Sequence, residues 1–311
     1  MRIVVVGAGP VGRVVSAVLL RAGHDVIVVE IDPPTRRELC EHGIRVTGVH
    51  EIAVATPRVV AGLEELETET VDVVFVAVKA PATPLVAGAV EDHVSRRATV
   101  VSWQNGIDTE RALAQSVAPD RVVRAVINHG ATRRDDGSVE MGFEHPPHLV
   151  RELSPEGAER ADSVADLLTG AGLATERAGD LAAAVWRKAS LNAALNAICA
   201  LTGQNMQDAW TDRYAGDLAR RVLRESVAVA RANEIFLGSD FYRYALDYLD
   251  RGGRHRPSML LDREAGRRSE IDFINGKIVE YGAMAGVATP FNEALVALVK
   301  AAERATRART E

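Results

Sequence analysis

Cysteine is scarce. Cys40 and Cys199 are the only two in 311 residues, and neither belongs to a metal-ligand or redox spacing. That gives no disulfide framework and no zinc site, and it suits a reducing cytosol. Long apolar runs are missing too. No window holds 18 uninterrupted apolar residues, so no transmembrane span is expected. Positive charge is not in excess. The net charge of −6 argues against non-specific binding to nucleic acid or to an anionic membrane. The chain has no repeats and no low-complexity tract. "IVVVGAGPVGRVVSAVLL" has some look of a signal peptide, but Gly7, Pro10 and Arg13 interrupt it and no convincing cleavage site follows. The expected setting is cytoplasmic, with no membrane or nucleic-acid partner.

What is present is an ordinary globular balance, 47% hydrophobic and 26% charged, in a chain longer than one core usually holds. Two domains are the default. "RIVVV" is a β-branched run that ends at a glycine turn. "VGRVVSAVLLRAG" then has helical spacing, and "DVIVVE" is a second buried strand. Strand, turn, helix and strand in about 30 residues is the setting in which G-x-G-x-x-G gains meaning. Here it reads Gly7-Ala8-Gly9-Pro10-Val11-Gly12. Gly7 permits the tight turn, Gly9 lets backbone approach a pyrophosphate, and Gly12 lets helix and strand pack closely. The N–H groups at the helix start bind the anion.

The alternation continues through "VDVVFVAVK" and "ATVVSW", with helices expected at 33–42, 82–94 and 108–117. Lys79 and Asn105 fall just after buried strands. In a parallel sheet that is the carboxyl edge, where ligands bind. A solvated lysine and a simple Asn-Gly turn remain open there. Residues 121–150 look like an antiparallel extension. In "HPPH", 145–148, the two prolines preclude a helical histidine pair, so no metal is expected. After residue 175 strand patterns vanish. Helices fit 179–201, 208–234, 240–251, 257–265, 270–286 and 291–308. The fold class is α/β: a Rossmann-like dinucleotide-binding domain over 1–178, then an all-helical substrate domain over 179–311, with a cleft between them.

"WRKASLNAALNAICAL", 186–201, is nearly all apolar, yet Lys188, Asn192 and Asn196 interrupt it at intervals of four. At 100° per residue these lie near one face. A buried lysine without a partner is costly, and lining a polar cleft removes that cost. Three stacked donors suit a small oxygen-rich anion. A hydrogen-bond network between helices is the alternative. Further on, Glu270 opens a segment whose apolar face includes Ile271, Ile274 and Ile278, and a capping role is open for it.

The chain resembles the ketopantoate reductase (2-dehydropantoate 2-reductase) family along nearly its whole length. The glycine motif, "VKA" at 78–80, "QNGID" at 104–108, "NHGATRRDDG" at 128–137, "WRKASLNAALN" at 186–196, "SML" at 258–260 and "SEIDFINGKIVEYG" at 269–282 carry the resemblance. It implies reduction of the 2-keto group of ketopantoate to D-pantoate by NADPH or NADH, on the route to pantothenate and coenzyme A. By position, Lys188 resembles the catalytic lysine. Asn192 and Asn196 resemble substrate-binding asparagines, and Ser258 the serine that holds the substrate carboxylate. Glu270 resembles the glutamate that supports the lysine and the nicotinamide ribose. Lys79, Asn105 and Ala131 resemble cofactor contacts, and Asn105 is also expected at the substrate.

Three positions depart from that pattern. Where the family commonly has a basic residue after the second strand, the chain reads Glu30-Ile31-Asp32, and an acid there favours the free ribose hydroxyls of NAD. Glu30 is therefore expected to contact the cofactor, and NADH is favoured on local chemistry, with Arg36 or Arg37 as the alternative reader of a phosphate. His255 stands where an asparagine is common, and Asn205 is displaced from a further one. Another keto-acid reductase on the same scaffold, or a dinucleotide-sensing protein without catalysis, are the competing readings. Oligomeric state is not legible, and a homodimer is open.

Overall fold

The computed structural model describes residues 1–55, 57–66 and 71–307. Among the described residues, twelve strands form two sheets. They are β1 (Arg2–Val6), β2 (Asp25–Val29), β3 (Ile44–Gly48), β4 (Ile52–Val54), β5 (Arg58–Val60), β6 (Val73–Val76), β7 (Thr99–Ser102), β8 (Val122–Val126), β9 (His129–Arg133), β10 (Val139–Glu144), β11 (His148–Glu152) and β12 (Thr175–Arg177). The larger sheet runs β12-β11-β8-β7-β6-β1-β2-β5. All its pairs are parallel except β8 with β11.

Its central strands are β-branched because both faces are covered. Ile3 and Val5 of β1 enter one core cluster, and Val4 and Val6 enter the other. This is the period-2 alternation of a strand buried on both sides. The helices of this unit are α1 (Pro10–Arg21), α2 (Pro33–His42), α3 (Thr83–His93), α4 (Thr109–Leu113) and α5 (Ala158–Gly170). The chain order leaves β1 flanked by β2 on one side and β6 on the other. That reversal, at the carboxyl end of β1, is where open α/β sheets bind ligands.

The stretch 121–150 is not one antiparallel extension. β8 continues the large sheet in parallel, and β11 joins it antiparallel. Between them, β9 and β10 belong to a separate four-stranded sheet, β4-β3-β10-β9. There β10 runs parallel to β3, with Val139 opposite Val46. The helix expected at 108–117 is short, because Asp108 takes a left-handed φ of 62° and the helix ends at Leu113.

The second unit is helical: α6 (Leu181–Thr202), α7 (Met206–Thr211), α8 (Arg213–Ala232), α9 (Phe241–Asp250), α10 (Ser258–Glu264), α11 (Asn275–Ala285) and α12 (Pro290–Arg307). Two expected helices are each divided. The 208–234 stretch breaks at Asp212, which is extended (φ −62°, ψ 135°). Its carboxylate accepts from the Tyr214 and Ala215 amides at 2.9 and 2.8 Å and so starts α8. The 270–286 stretch holds a 3-10 turn, Ile271–Phe273, then non-helical Ile274, then α11.

Buried amides join the helices of this unit. Asn275 donates to the Ala193 carbonyl of α6 at 3.1 Å and to the Asn292 Oδ1 of α12 at 3.0 Å. Asn292 donates in turn to Glu225 of α8 at 2.7 Å. An unmet buried polar group would cost about 1–3 kcal/mol, so these bonds select one arrangement of the helices. The compact units are residues 1–104 with 108–181, and residues 105–107 with 182–311. The Asn105–Ile107 loop thus groups with the helices. Among the described residues, no helix is long and apolar enough to cross a membrane.

Candidate active site

In the first unit the glycines answer steric demands that can be measured. Gly7 has φ +102°, and a Cβ on it would lie 3.0 Å from the Val78 amide nitrogen. At Gly12 a Cβ would lie 2.0 Å from the Gly7 carbonyl oxygen, which no side chain can tolerate. Gly9 is the opposite case. A Cβ there would meet nothing within 4 Å, so the backbone has an open flank. Gly9 caps α1, and Pro10 occupies the first turn with its φ already helical. Val11 packs against the core below. The turn therefore offers the start of a 12-residue helix and a glycine backbone with an open flank, which fits a dinucleotide's diphosphate.

Glu30, just past β2, turns toward this loop. Its Oε2 accepts from the Ala8 amide at 2.9 Å and its Oε1 from the Asp32 amide at 2.9 Å. One guanidinium nitrogen of Arg36 donates to the Glu30 and Ile31 carbonyls, both at 2.8 Å. Asp32 caps α2 by accepting from the Thr35 amide at 2.9 Å. Hydrogen bonds from Thr35 hold its carboxyl below the usual range.

Lys79 lies three residues beyond β6, half-buried, at the head of a 3-10 turn. The surrounding strand ends are fixed by Gln104, a buried amide that sequence reasoning passed over. Its Nε2 donates to the Val78 carbonyl and to Thr83 Oγ1, both at 2.8 Å. Its backbone carbonyl accepts from Arg124 at 2.7 Å. The only sequence signal for it was its place in "QNGID". Ala131 is half-buried on β9, opposite Met141, in the smaller sheet.

The second unit brings a different set together. Lys188 and Asn192 are half-buried along α6, and Asn196 is 5% exposed. Asn275 attaches the start of α11 to α6 at Ala193, between the two asparagines. Just before α11 lies Glu270, buried at 5% exposure. It precedes the 3-10 turn rather than opening a long helix, and it makes no side-chain cap there. The Asn105 loop lies on that same turn. Ile107 donates its amide to the Phe273 carbonyl at 2.8 Å. Gly106, at φ +106°, permits the approach, since a Cβ would sit 2.9 Å from Phe273 Cβ.

Ser258 begins α10, half-buried. Arg263 of that helix donates to the Ala200 and Leu201 carbonyls, which ties α10 to the end of α6. The row on α6, the Glu270 turn, Asn105 and Ser258 thus share one unit. The glycine loop, Glu30, Lys79 and Ala131 share the other. Nearby, burial holds the half-buried His255 imidazole below its usual pKa and so favours the neutral form.

Comparison with known proteins identifies the family. The family model for ketopantoate reductase PanE/ApbA matches residues 3–146, and its C-terminal model matches residues 180–303. A 2-dehydropantoate 2-reductase from Archaeoglobus fulgidus is 32% identical over 305 residues, covering 97% of this chain and 98% of its own. Among solved structures, D-mandelate dehydrogenase with NADH and anilino(oxo)acetate superposes with a TM-score of 0.89 at 25% identity, covering 99% of this chain and all of its own. A PanE/ApbA family ketopantoate reductase from Ralstonia eutropha gives 0.87 at 27% identity, again over 99% and 100%. With both models matched across most of its length, the chain belongs to the ketopantoate reductase PanE/ApbA family.

Proposed function

We propose that this protein is an oxidoreductase that reduces the 2-keto group of ketopantoate to D-pantoate in the cytoplasm, and that it uses NADH in preference to NADPH. The observation that carries the reaction is the row Lys188, Asn192 and Asn196 on a mainly apolar helix, with the Glu270 turn attached to that helix through Asn275. The family membership and the 2-dehydropantoate 2-reductase relatives support the substrate.

When bound, the cofactor supplies the hydride. Every other task falls to the chain's own residues. Reduction builds negative charge on the keto oxygen, which must be stabilised and protonated. Lys188 does both through its ammonium group. Asn192 and Asn196 donate amide N–H groups that orient the substrate, and Ser258 donates its hydroxyl to the carboxylate. Glu270 orients Lys188 and takes part in holding the nicotinamide ribose. Gly7 to Gly12, with Ala8, Pro10 and Val11, hold the diphosphate. Glu30 accepts from the adenosine ribose hydroxyls, and Lys79, Asn105 and Ala131 complete the cofactor contacts. Asn105 also touches substrate.

The preference for NADH rests on Glu30. Its carboxylate faces the glycine loop, where it would repel a 2′-phosphate. A second reading is reduction of another 2-keto acid on this scaffold. It is favoured by the likeness to a D-mandelate dehydrogenase solved with NADH and by His255 near Ser258. A steady-state screen of ketopantoate, benzoylformate and related keto acids with NADH and NADPH separates the two. Ketopantoate should give the highest kcat/KM, and a higher value for an aromatic keto acid would transfer the assignment to the second reading.

A further inference from the structure

Arg13 is charged, lies on α1 and is 2% exposed. Four hydrogen bonds surround its guanidinium. Nε donates to the Ala8 carbonyl at 2.9 Å. Nη1 donates to Glu38 Oε1 at 2.7 Å and to the Gly137 carbonyl at 3.0 Å. Nη2 donates to Glu38 Oε2 at 3.1 Å. Three segments meet on one cation: the glycine loop, α2 through Glu38, and the turn between β9 and β10 through Gly137. Arg133 of β9 also donates to Glu38, so that carboxylate keeps a second cation.

Stability alone does not account for this arrangement. Buried ion pairs are often replaced by apolar residues of similar volume with no loss of stability. The bond to Ala8 has a more specific consequence. In a trans peptide the C=O and the following N–H point in opposite directions. Holding the Ala8 carbonyl on the Arg13 side therefore turns the Gly9 N–H away from Arg13. Glu30 holds the other polar group of the same residue, the Ala8 N–H. Both rotational freedoms of the loop at Ala8 are thus restrained, and the open flank of Gly9 is left facing outward.

We propose that Arg13, held by Glu38, is a positioning residue for dinucleotide binding: it sets the Ala8–Gly9 peptide so that the Gly9 N–H is presented to the diphosphate. This rests on the reading that the protein binds a nicotinamide dinucleotide. The residue touches no reacting atom, so its effect falls on cofactor affinity and not on chemistry.

The test is Arg13→Met, which keeps the aliphatic volume and removes the donors, with Arg13→Lys as the conservative variant. Wild-type and variant full-length proteins are titrated with NADH and NADPH by fluorescence. Steady-state constants are then measured with NADH and with reduced nicotinamide mononucleotide, which lacks the diphosphate bridge. The expected result is a rise in the Kd and KM for NADH of roughly tenfold, the scale of one charge-assisted hydrogen bond. The kcat at saturating NADH stays within about twofold, as for lost uniform binding. The KM values for keto acid and for the mononucleotide do not move, and Arg13→Lys recovers part of the affinity. A folded Arg13→Met with wild-type NADH affinity overturns the proposal, as does an equal loss with the mononucleotide. Should Arg13→Met not fold, Glu38→Gln, which loosens the guanidinium without removing it, must raise the NADH KM for the proposal to stand. Wild-type protein that binds neither dinucleotide overturns the underlying reading and the proposal together.

Discussion

Replacing Glu30 by alanine tests the proposal that this acid reads the cofactor. In the protein its two oxygens accept from the Ala8 and Asp32 amides, each at 2.9 Å. Losing those bonds loosens the loop for either cofactor, so that part cancels in a ratio of the two. Two effects do not cancel. With NADH, a carboxylate acceptor for the ribose diol is lost, worth about 1.5–3 kcal/mol, or roughly 10- to 150-fold. With NADPH, repulsion of the 2′-phosphate is relieved, worth about 1.4 kcal/mol or more, about tenfold. The ratio of kcat/KM for NADH over NADPH should therefore fall by roughly 10²-fold or more in Glu30→Ala. The assay is initial-rate kinetics with both cofactors at one ionic strength, since exposed charge interactions are screened by salt. A ratio that moves by less than about threefold would show that Glu30 is not the reader. Wild-type protein preferring NADPH by more than about tenfold would refute the preference itself.

Lys188→Ala should lower kcat for keto-acid reduction by about 10²-fold or more, the low end of general acid catalysis, with NADH binding nearly intact. Retention of most turnover would remove it from the proton-donating role. Gly12→Ala places a methyl 2.0 Å from the Gly7 carbonyl, so it should abolish dinucleotide binding and lower Tm. A variant that titrates NADH normally would contradict the packing described. Cys40 is exposed, whereas burial pushes the Cys199 thiol up to about 12. A chromogenic disulfide reagent at pH 8 should therefore count one thiol in the native protein and two in denaturant, and fast reaction of both in the native state would place Cys199 at the surface. Glu152 is held below its ordinary 4.5, chiefly by the hydrogen bonds of Arg177. A depressed carboxyl stabilises the fold above its unfolded pKa, and that contribution is lost as pH falls through the folded value. Tm should thus decline below about pH 4.5, more shallowly in Glu152→Gln, and identical slopes in the two proteins would rule out this pair as a contributor.

Some of this protein was determined by the sequence alone. The glycine turn was legible because each glycine meets a local demand: a left-handed φ at Gly7, contact with Gly7 itself at Gly12, and an open flank at Gly9. The row Lys188, Asn192 and Asn196 was legible because helical period is a property of neighbours in the chain. The chain order of strands and helices followed from hydrophobic pattern for the same reason. What local pattern does not encode was decided by tertiary structure. The 208–234 and 270–286 periodicities run on through Asp212 and Ile274, yet the backbone leaves the helix at both, because a carboxylate cap and a packed turn outweigh propensity there. The smaller sheet depends on Val46 meeting Val139, a parallel pairing no turn signal announces. Asn105 reads as the end of a sheet strand and yet lies on the Phe273 turn, through Gly106 and the Ile107 amide. Arg13 and Gln104 look like a helix-surface cation and a loop amide. Only folding surrounds them with Ala8, Glu38 and Gly137 in one case, and with Val78 and Thr83 in the other. A buried polar group is defined by its partners, and those partners come from segments far apart in the chain.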